Sequence, residues 1–198
     1  DMPAHPSAGN HDNTLANALM YYYGSQNKPF VYRCINRLDR DTTGLTIVAK
    51  HALAGGILGN AVAKRAIHRT YYAVCSGCTP ACMRISAPIA RKDASTIERC
   101  VDFKRGENAV TDFIRIKYNP DNNLSLVKLR LLTGRTHQIR VHMKYIGFPL
   151  IGDFLYNPDY TYISRQALHS GRLVFTHPVT GQKMNLISDI PSDMKSLF

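Results

Sequence analysis

The sequence predicts an α+β fold with a mostly antiparallel sheet, because short strand patterns outnumber helical ones and the two kinds are interspersed. The clearest strands are two apolar, β-branched segments at 111–117 and 124–132, which a polar turn at 119–123 joins into an antiparallel hairpin. The clearest helix runs over 15–22, where apolar residues recur at i, i+3, i+4 and i+7. Together these patterns indicate one sheet flanked by a few helices.

The other elements follow from the same two periodicities, with glycine and proline marking their ends. We expect helices over 15–24, 52–65 and 136–145, the second weakened by three glycines that each cost about 1 kcal/mol relative to alanine. In chain order, we expect strands at 30–35, 45–50, 69–75, 86–89, 111–117, 124–132 and 173–175, with a return strand at 183–187.

Composition bounds the class of protein. A chain of 198 residues with 44% hydrophobic content can bury one substantial core, and we expect a single domain over residues 1–198. The 25 Lys+Arg against 14 Asp+Glu give a net charge of +11, which favours a polyanionic partner, although a solvated basic surface gives the same count. No apolar run approaches the roughly 20 residues of a membrane span, and the first residues show no basic segment followed by an apolar stretch, so we expect a soluble, cytoplasmic protein.

Metal sites are disfavoured by spacing. Cys75, Cys78 and Cys82 resemble part of a zinc site, but no fourth ligand follows at a suitable distance, and we expect an exposed turn with incidental thiols. An odd total of five cysteines argues for reduced thiols. His137 and His142 lie five apart, too far round a helix to share one face as a metal pair.

The most informative segment is 36–45, Asn-Arg-Leu-Asp-Arg-Asp-Thr-Thr-Gly-Leu, which sets Asp39 between two arginines in a turn closed by Gly44. A strand is expected directly afterwards, so this carboxylate would lie near the start of that strand. The segment mimics the start of a calcium-binding loop, but the twelfth position, which needs a glutamate, is Lys50. A simple Asx-turn is an alternative for either aspartate, and we assign that role to Asp41.

A second block, Leu-Thr-Gly-Arg-Thr-His-Gln-Ile-Arg-Val-His-Met at 132–143, accompanies the first. With the two blocks in this order, the chain resembles the RluA-type pseudouridine synthases over nearly its whole length. Further matching segments are His5-Pro6 with Gly9-Asn10, Arg69–Val74, Pro88-Ile89, Ile146-Gly147, Ile151–Asp153 with Tyr156, and Arg165–His169. Asn36 and Arg69 depart from the family, which often has histidine and lysine at these places. An upstream segment present in the family is expected to be missing here.

The resemblance implies the pseudouridine synthase fold around an active-site cleft and a reaction that needs neither cofactor nor metal. Asp39 would be the catalytic carboxylate, attacking C1′ or C6 of the uridine or removing a ribose proton, and these three routes stay open. Such a carboxylate must stay ionised, and the family implies that Arg140 provides the ion pair. Tyr71 would stack on the displaced uracil and help remove the C5 proton, whereas Tyr72 faces the other side of its strand.

The target base lies within an RNA stack, so the nucleotide must be flipped out. Arg37 resembles the arginine that fills the vacated space, with a phosphate contact as its plainer alternative. Arg135, His137 and Gln138 would organise the floor of the site and bind substrate. The expected partner of this monomer is RNA, ribosomal RNA before transfer RNA. The alternative is a noncatalytic RNA-binding protein on the same scaffold, whereas a zinc deaminase is excluded because its H-x-E and P-C-x-x-C motifs are absent.

Overall fold

A computed structural model describes residues 2–7 and 11–198, so Gly9 and Asn10 of the family-like early loop lie outside the described residues. A long run of strands, interrupted by only a few helices, gives the element order of an α+β fold. The helices are α1 (Leu15–Gly24), α2 (Ala52–Ala63), α3 (Gln138–Tyr145) and α4 (Ser192–Lys195). The strands are β1 (Thr43–Gly44), β2 (His68–Ser76), β3 (Cys82–Ser86), β4 (Ile89–Arg91), β5 (Arg99–Val101), β6 (Val110–Asn119), β7 (Leu124–Leu131), β8 (Leu168–Thr176) and β9 (Lys183–Ile187).

One mixed, mostly antiparallel sheet dominates the described residues, which confirms the predicted fold class. Its strands lie in the order β1-β8-β2-β7-β6-β3. The remaining strand, β9, pairs with β8 further along β8 than β1 does. Only the β1–β8 pair is parallel. The hairpin of β6 and β7 and the closing hairpin of β8 and β9 form as predicted. A separate two-stranded sheet, β4 with β5, stands beside the main one.

Alternation along β2 divides the hydrophobic core between the two faces of the sheet. Tyr71 and Cys75 face the side that α3 covers with Ile139 and Met143. Val74 faces the opposite side, in a cluster completed by residues near the C-terminus and partly covered by Tyr72. The predicted separation of the two neighbouring tyrosines is therefore confirmed. A third cluster forms where α2 packs on β8.

The predicted strands at 30–35 and 45–50 are wrong as regular strands, although the two segments do run side by side. Ile35 N–H donates to the Ile47 carbonyl at 2.8 Å, and Cys34 and Val48 form an isolated bridge. The pairing stops there because the buried Asn36 side chain takes the Ile47 N–H at 2.8 Å. The regular strand after Asp39 is instead the two-residue β1, which pairs with β8.

Other boundaries also differ from the prediction. The strand expected at 86–89 is divided, because Pro88 has no N–H and separates β3 from β4. Cys75 is fully buried in β2 and Cys82 opens β3, so only Cys78 fits the predicted exposed turn. The helix expected from 136 begins at Gln138. The short elements β5 and α4 were not predicted from the sequence.

No helix within residues 2–7 and 11–198 combines the length and apolar character that crossing a membrane requires.

Candidate active site

A basic cleft of about 740 Å³ opens along one end of the sheet. Its walls come from the loop before β1, the end of α2, the start of β2 and the loop between β7 and α3. Five arginines line it against a single carboxylate, that of Asp39, and these arginines are Arg37, Arg65, Arg69, Arg130 and Arg135. The cleft therefore presents positive charge to any ligand that reaches Asp39.

Asp39 lies in a turn whose form depends on the chain that follows it. Thr42 N–H donates to the Asp39 carbonyl at 2.9 Å, which closes the turn. Gly44 then approaches the backbone of Ser170 so closely that a Cβ would lie 2.3 Å from the Ser170 carbonyl oxygen, and its φ of +106° also favours glycine. This close approach lets the turn dock on β8 and fixes the position of Asp39.

Arg140 is the buried cation of the site, with only 1% of its side chain exposed. Its Nη1 donates to Asp39 Oδ2 at 3.1 Å, while Nε and Nη2 donate to the two oxygens of Asp153 at 2.7 Å each. Asp153 is fully buried and also accepts backbone N–H groups of Leu155 and Tyr156. Arg140 therefore bridges a buried structural carboxylate and the partly exposed carboxylate of Asp39.

The electrostatics of this bridge favour the charged form of Arg140. Burial acts to lower the pKa of the guanidinium, but the hydrogen bonds and charges of Asp153 and Asp39 outweigh it and raise the pKa. The rings of Phe154 and Tyr156 lie 5.3 and 5.0 Å from the guanidinium carbon. A permanently charged, immobile arginine is thus held against the Asp39 carboxylate.

A small pocket adjoins the cleft and shares Arg37, Asp39 and Arg69 with it. Tyr71 and Arg140 also line this inner pocket. Tyr71 is 5% exposed, and burial raises the pKa of its hydroxyl, as does the charge of Asp39, while Arg69 lowers it. Arg69, which stands where the family often has lysine, lines the same space. The structure therefore brings Asp39, Tyr71 and Arg140 together around one small pocket.

The three residues predicted for the floor of the site, Arg135, His137 and Gln138, differ in how many of their hydrogen-bonding groups are already used within the protein. Gln138 is buried, and its amide is fully used: Oε1 accepts from Thr133 and Arg135 N–H, and Nε2 donates to Val110 and Thr111. It can fix the loop before α3, but its amide has no hydrogen-bonding capacity left for a ligand.

Arg135, His137 and Arg37 are the predicted ligand-facing residues. Arg135 lines the cleft while pairing with Glu107 and donating to the Asn108 carbonyl. His137 precedes α3 in the left-handed region, at φ +56°, and lines the pocket with Asp39. Arg37 is exposed at the mouth of both the cleft and the inner pocket.

Sequence reasoning assigned no role to Asp153 or Tyr156. Both residues belong to the segment after α3 that resembles the family. The motif was visible in the sequence, but it suggested no role for either residue. The structure supplies the function: Asp153 anchors Arg140, and the Tyr156 hydroxyl contacts His137 at 2.9 Å. Gly152 is required beside them, since a Cβ there would lie 2.1 Å from the Arg165 carbonyl oxygen.

Within the described part of the chain, no three side chains of the metal-binding types come close enough to hold an ion.

Comparison with known proteins shows which family the chain resembles. A family model described as RNA pseudouridylate synthase matches residues 1–145. An uncharacterized RNA pseudouridine synthase of Bacillus subtilis, YjbO, is 42% identical over 98% of this chain and 68% of its own length. The ribosomal large subunit pseudouridine synthase D of Zymomonas mobilis is 38% identical over 100% of this chain and 66% of its own length. The chain thus spans about two thirds of the curated relatives it matches.

A solved structure agrees with this result. Human RNA pseudouridylate synthase domain containing 1 superimposes with a TM-score of 0.75 at 26% identity, covering 89% of this chain and 74% of that one. The basic cleft, the carboxylate in its loop and the strand-borne tyrosine thus occur in a chain that matches this family in sequence and in fold. The chain belongs to the RNA pseudouridylate synthase family.

Proposed function

We propose that this protein is an RNA pseudouridine synthase in which Asp39 performs the chemistry. The observation that carries the proposal is the Asp39 carboxylate at the inner end of an arginine-lined cleft, paired with buried Arg140 and beside buried Tyr71. The reaction breaks the bond from C1′ to N1 of uridine and forms a bond from C1′ to C5. The hydrogen of C5 is lost to a base and N1 gains a proton, so the overall change is an isomerisation.

Each residue of the inner pocket has a part in this proposal. Asp39 is a nucleophile or base that Arg140 keeps ionised and oriented. Tyr71 lines the same pocket, where it presents its ring to the uracil and helps to remove the C5 proton. Arg37, exposed at the cleft mouth, fills the space of a flipped nucleotide with its planar guanidinium.

We propose large-subunit ribosomal RNA as the substrate, because two relatives that are 38% and 37% identical across the whole chain are named as ribosomal large subunit pseudouridine synthases. Transfer RNA is the second candidate. We further propose that residues 1–198 form one catalytic domain, since a single sheet carries both walls of the cleft, and that it acts as a monomer.

The test is release of tritium from uracil C5 of ribosomal and transfer RNA transcripts. We expect wild-type protein to release tritium to water, and Asp39→Asn to abolish release while RNA binding is retained. Asp121→Asn, at the exposed tip of the β6–β7 turn, is the matched control and should release tritium at the wild-type rate. Normal turnover by Asp39→Asn would refute the role of Asp39.

The competing proposal is a noncatalytic RNA-binding protein on the same scaffold. It shares the basic cleft but has no use for Asp39, Tyr71 and Arg140 in one pocket. Salt-sensitive binding without tritium release from either RNA class would support it.

A further inference from the structure

The hydroxyl of Tyr156 contacts both the backbone of Arg99 and the ring of His137. Tyr156 is 5% exposed, and its hydroxyl lies 2.9 Å from the Arg99 backbone nitrogen and 2.9 Å from His137 Nδ1. A backbone N–H can only donate, so the hydroxyl oxygen accepts from Arg99. The hydroxyl proton is then available to His137, and within the described residues no other acceptor bonds to it.

This geometry decides where the His137 ring carries its proton. If the Tyr156 hydroxyl donates to Nδ1, the neutral ring must be protonated at Nε2. The opposite tautomer would leave the buried hydroxyl proton without an acceptor, which is unfavourable. Burial also lowers the pKa of His137, although Asp39 acts to raise it, so the neutral ring is favoured.

The Nε2 side of the ring has no hydrogen-bond partner among the described residues. His137 lines the inner pocket with Asp39 and Tyr71, and it lines a neighbouring pocket of about 370 Å³ bounded by residues 3–7 and Phe154. A single N–H donor thus lines the same pocket as the Asp39 carboxylate, which, when ionised, can only accept. An imidazolium there would instead pair with Asp39 and compete with its chemistry.

We propose that His137 is held by Tyr156 as the Nε2–H tautomer and donates to an acceptor oxygen of the target nucleoside, a uracil carbonyl or a ribose oxygen. The proposal rests on the proposed function for its ligand, while the tautomer itself is a property of the free protein. Tyr156 is a positioning residue that acts through His137. His137 contacts substrate and orients the nucleoside toward Asp39.

The first test observes the tautomer directly. Protein labelled with ¹⁵N in its histidine rings is studied by NMR near pH 7.5, and the His137 signals are assigned by their loss in His137→Gln. We expect a protonated Nε2 and an unprotonated Nδ1 in the wild type, and a mixture of tautomers in Tyr156→Phe. A wild-type ring protonated at Nδ1 would overturn the proposal.

The second test separates donation by His137 from mere packing. His137→Ala should lower kcat about tenfold, the worth of one hydrogen bond formed in the transition state, with little change in RNA affinity. His137→Gln, whose amide can place a donor near the Nε2 position, should recover part of the rate, and His137→Asn should recover less. Equal rates for all three variants and the wild type would refute the contact. His11→Ala, on the exposed surface, is the control.

The third test uses the pH profile of Tyr156→Phe. Without the hydroxyl donor, Nδ1 is free to bind a proton, so the pKa of His137 should rise and the acid limb of the rate profile should move to higher pH. Tyr160→Phe, at an exposed tyrosine, should leave the profile unchanged, and an unmoved profile in Tyr156→Phe would count against the proposal. The charged and titratable groups around the ring stay the same in both variants: Asp39, Asp153, Arg140 and Arg99, with His5, Arg37 and Arg40 lining the adjacent pocket.

The two proposals fail in different ways. If wild-type protein releases no tritium, the proposed function fails, and the NMR result still decides the tautomer. If Asp39→Asn abolishes release but His137→Ala does not lower the rate, the function stands and the role of His137 falls.

Discussion

Arg140 binds two carboxylates that lie in different surroundings. Toward the core it makes a two-pronged contact with Asp153, and toward the cleft a single contact with the partly exposed Asp39. The guanidinium has several N–H donors in a fixed plane, so it can bind both carboxylates at once. The single ammonium group of a lysine could not hold both in a fixed geometry. The sequence indicated the Asp39 partner by resemblance, but it gave no reason to assign Asp153 the larger share of the guanidinium.

Removing the buried partner should therefore destabilise the protein strongly. We expect Asp153→Asn to lower the free energy of unfolding by about 3–5 kcal/mol, because the buried guanidinium would lose its buried counter-charge and keep only the partly exposed Asp39. Urea denaturation measures this change. The matched control is Asp193→Asn, which breaks the more exposed pair with Arg165 and should cost less than about 1 kcal/mol. Similar losses in the two variants would contradict the expected role of burial.

At the scale of elements, α3 is joined to the sheet by polar contacts as well as by Ile139 and Met143. Gln138 and His142 lie one turn apart, and both contact the Thr111 hydroxyl of β6 at 2.9 Å. His142 Nε2 lies 2.9 Å from the Ala87 carbonyl and must donate to it, so the Thr111 hydroxyl donates to Nδ1. The sequence predicted this helix, which forms over Gln138–Tyr145, but it could not show that the polar residues Gln138 and His142 were buried.

The His142 contacts make stability depend on pH. Burial lowers the pKa of His142 below its ordinary value, although the bond to Ala87 opposes this. The unfolded chain therefore binds more protons below a pH of about 6.5, so the contribution is complete above that pH and is lost as the pH falls. We expect urea unfolding to show lower stability at pH 5.5 than at pH 7.5.

A variant isolates the part of this effect that is due to His142. His142→Gln should be less stable at pH 7.5 but should lose less stability on acidification, with His137 and His169, whose pKa values are also lowered, accounting for the remainder. An equal loss in wild type and variant would show that His142 does not titrate as expected.

The same junction can be tested without a change of pH. Thr111→Val removes the shared hydroxyl and leaves His142 Nδ1 and one Gln138 N–H unpaired, which should cost about 1–3 kcal/mol in the free energy of unfolding. Thr176→Val, on an exposed position of β8, is the control and should change stability by less than about 0.5 kcal/mol. Calorimetry or urea denaturation measures both variants, and a neutral Thr111→Val would mean that the junction contributes little.

Across the whole molecule, part of the excess positive charge lies on one surface. Five arginines line the cleft that holds Asp39, so positive potential is concentrated around the carboxylate that we propose as catalytic. Composition could predict attraction to a polyanion, but it could not say which arginines share one surface. That distribution depends on which loops the sheet brings together.

RNA binding should accordingly weaken steeply with salt, and single arginines of the cleft should account for separate parts of that dependence. We expect Arg65→Gln to weaken binding and to reduce the slope of log K against log salt concentration by about 1. Fluorescence anisotropy over a range of KCl concentrations measures both quantities. Arg172→Gln, on β8 and bonded to Asn185, is the control and should leave the slope unchanged. An unchanged slope in Arg65→Gln would remove that residue from the RNA path.

Features that depend on neighbours along the chain could be predicted from the sequence: the hairpins, the helical periodicities, the Asp39 loop and the α3 block. Which distant groups meet depends on the complete fold. Arg140 and Asp39 are 101 residues apart in the chain, and β1 joins β8 across 126 residues. The segment at 30–35 reads locally as a strand, yet directly after it the Asn36 side chain accepts the backbone N–H of Ile47. Such competition depends on which polar groups are buried together, and burial is a property of the folded chain rather than of any local pattern.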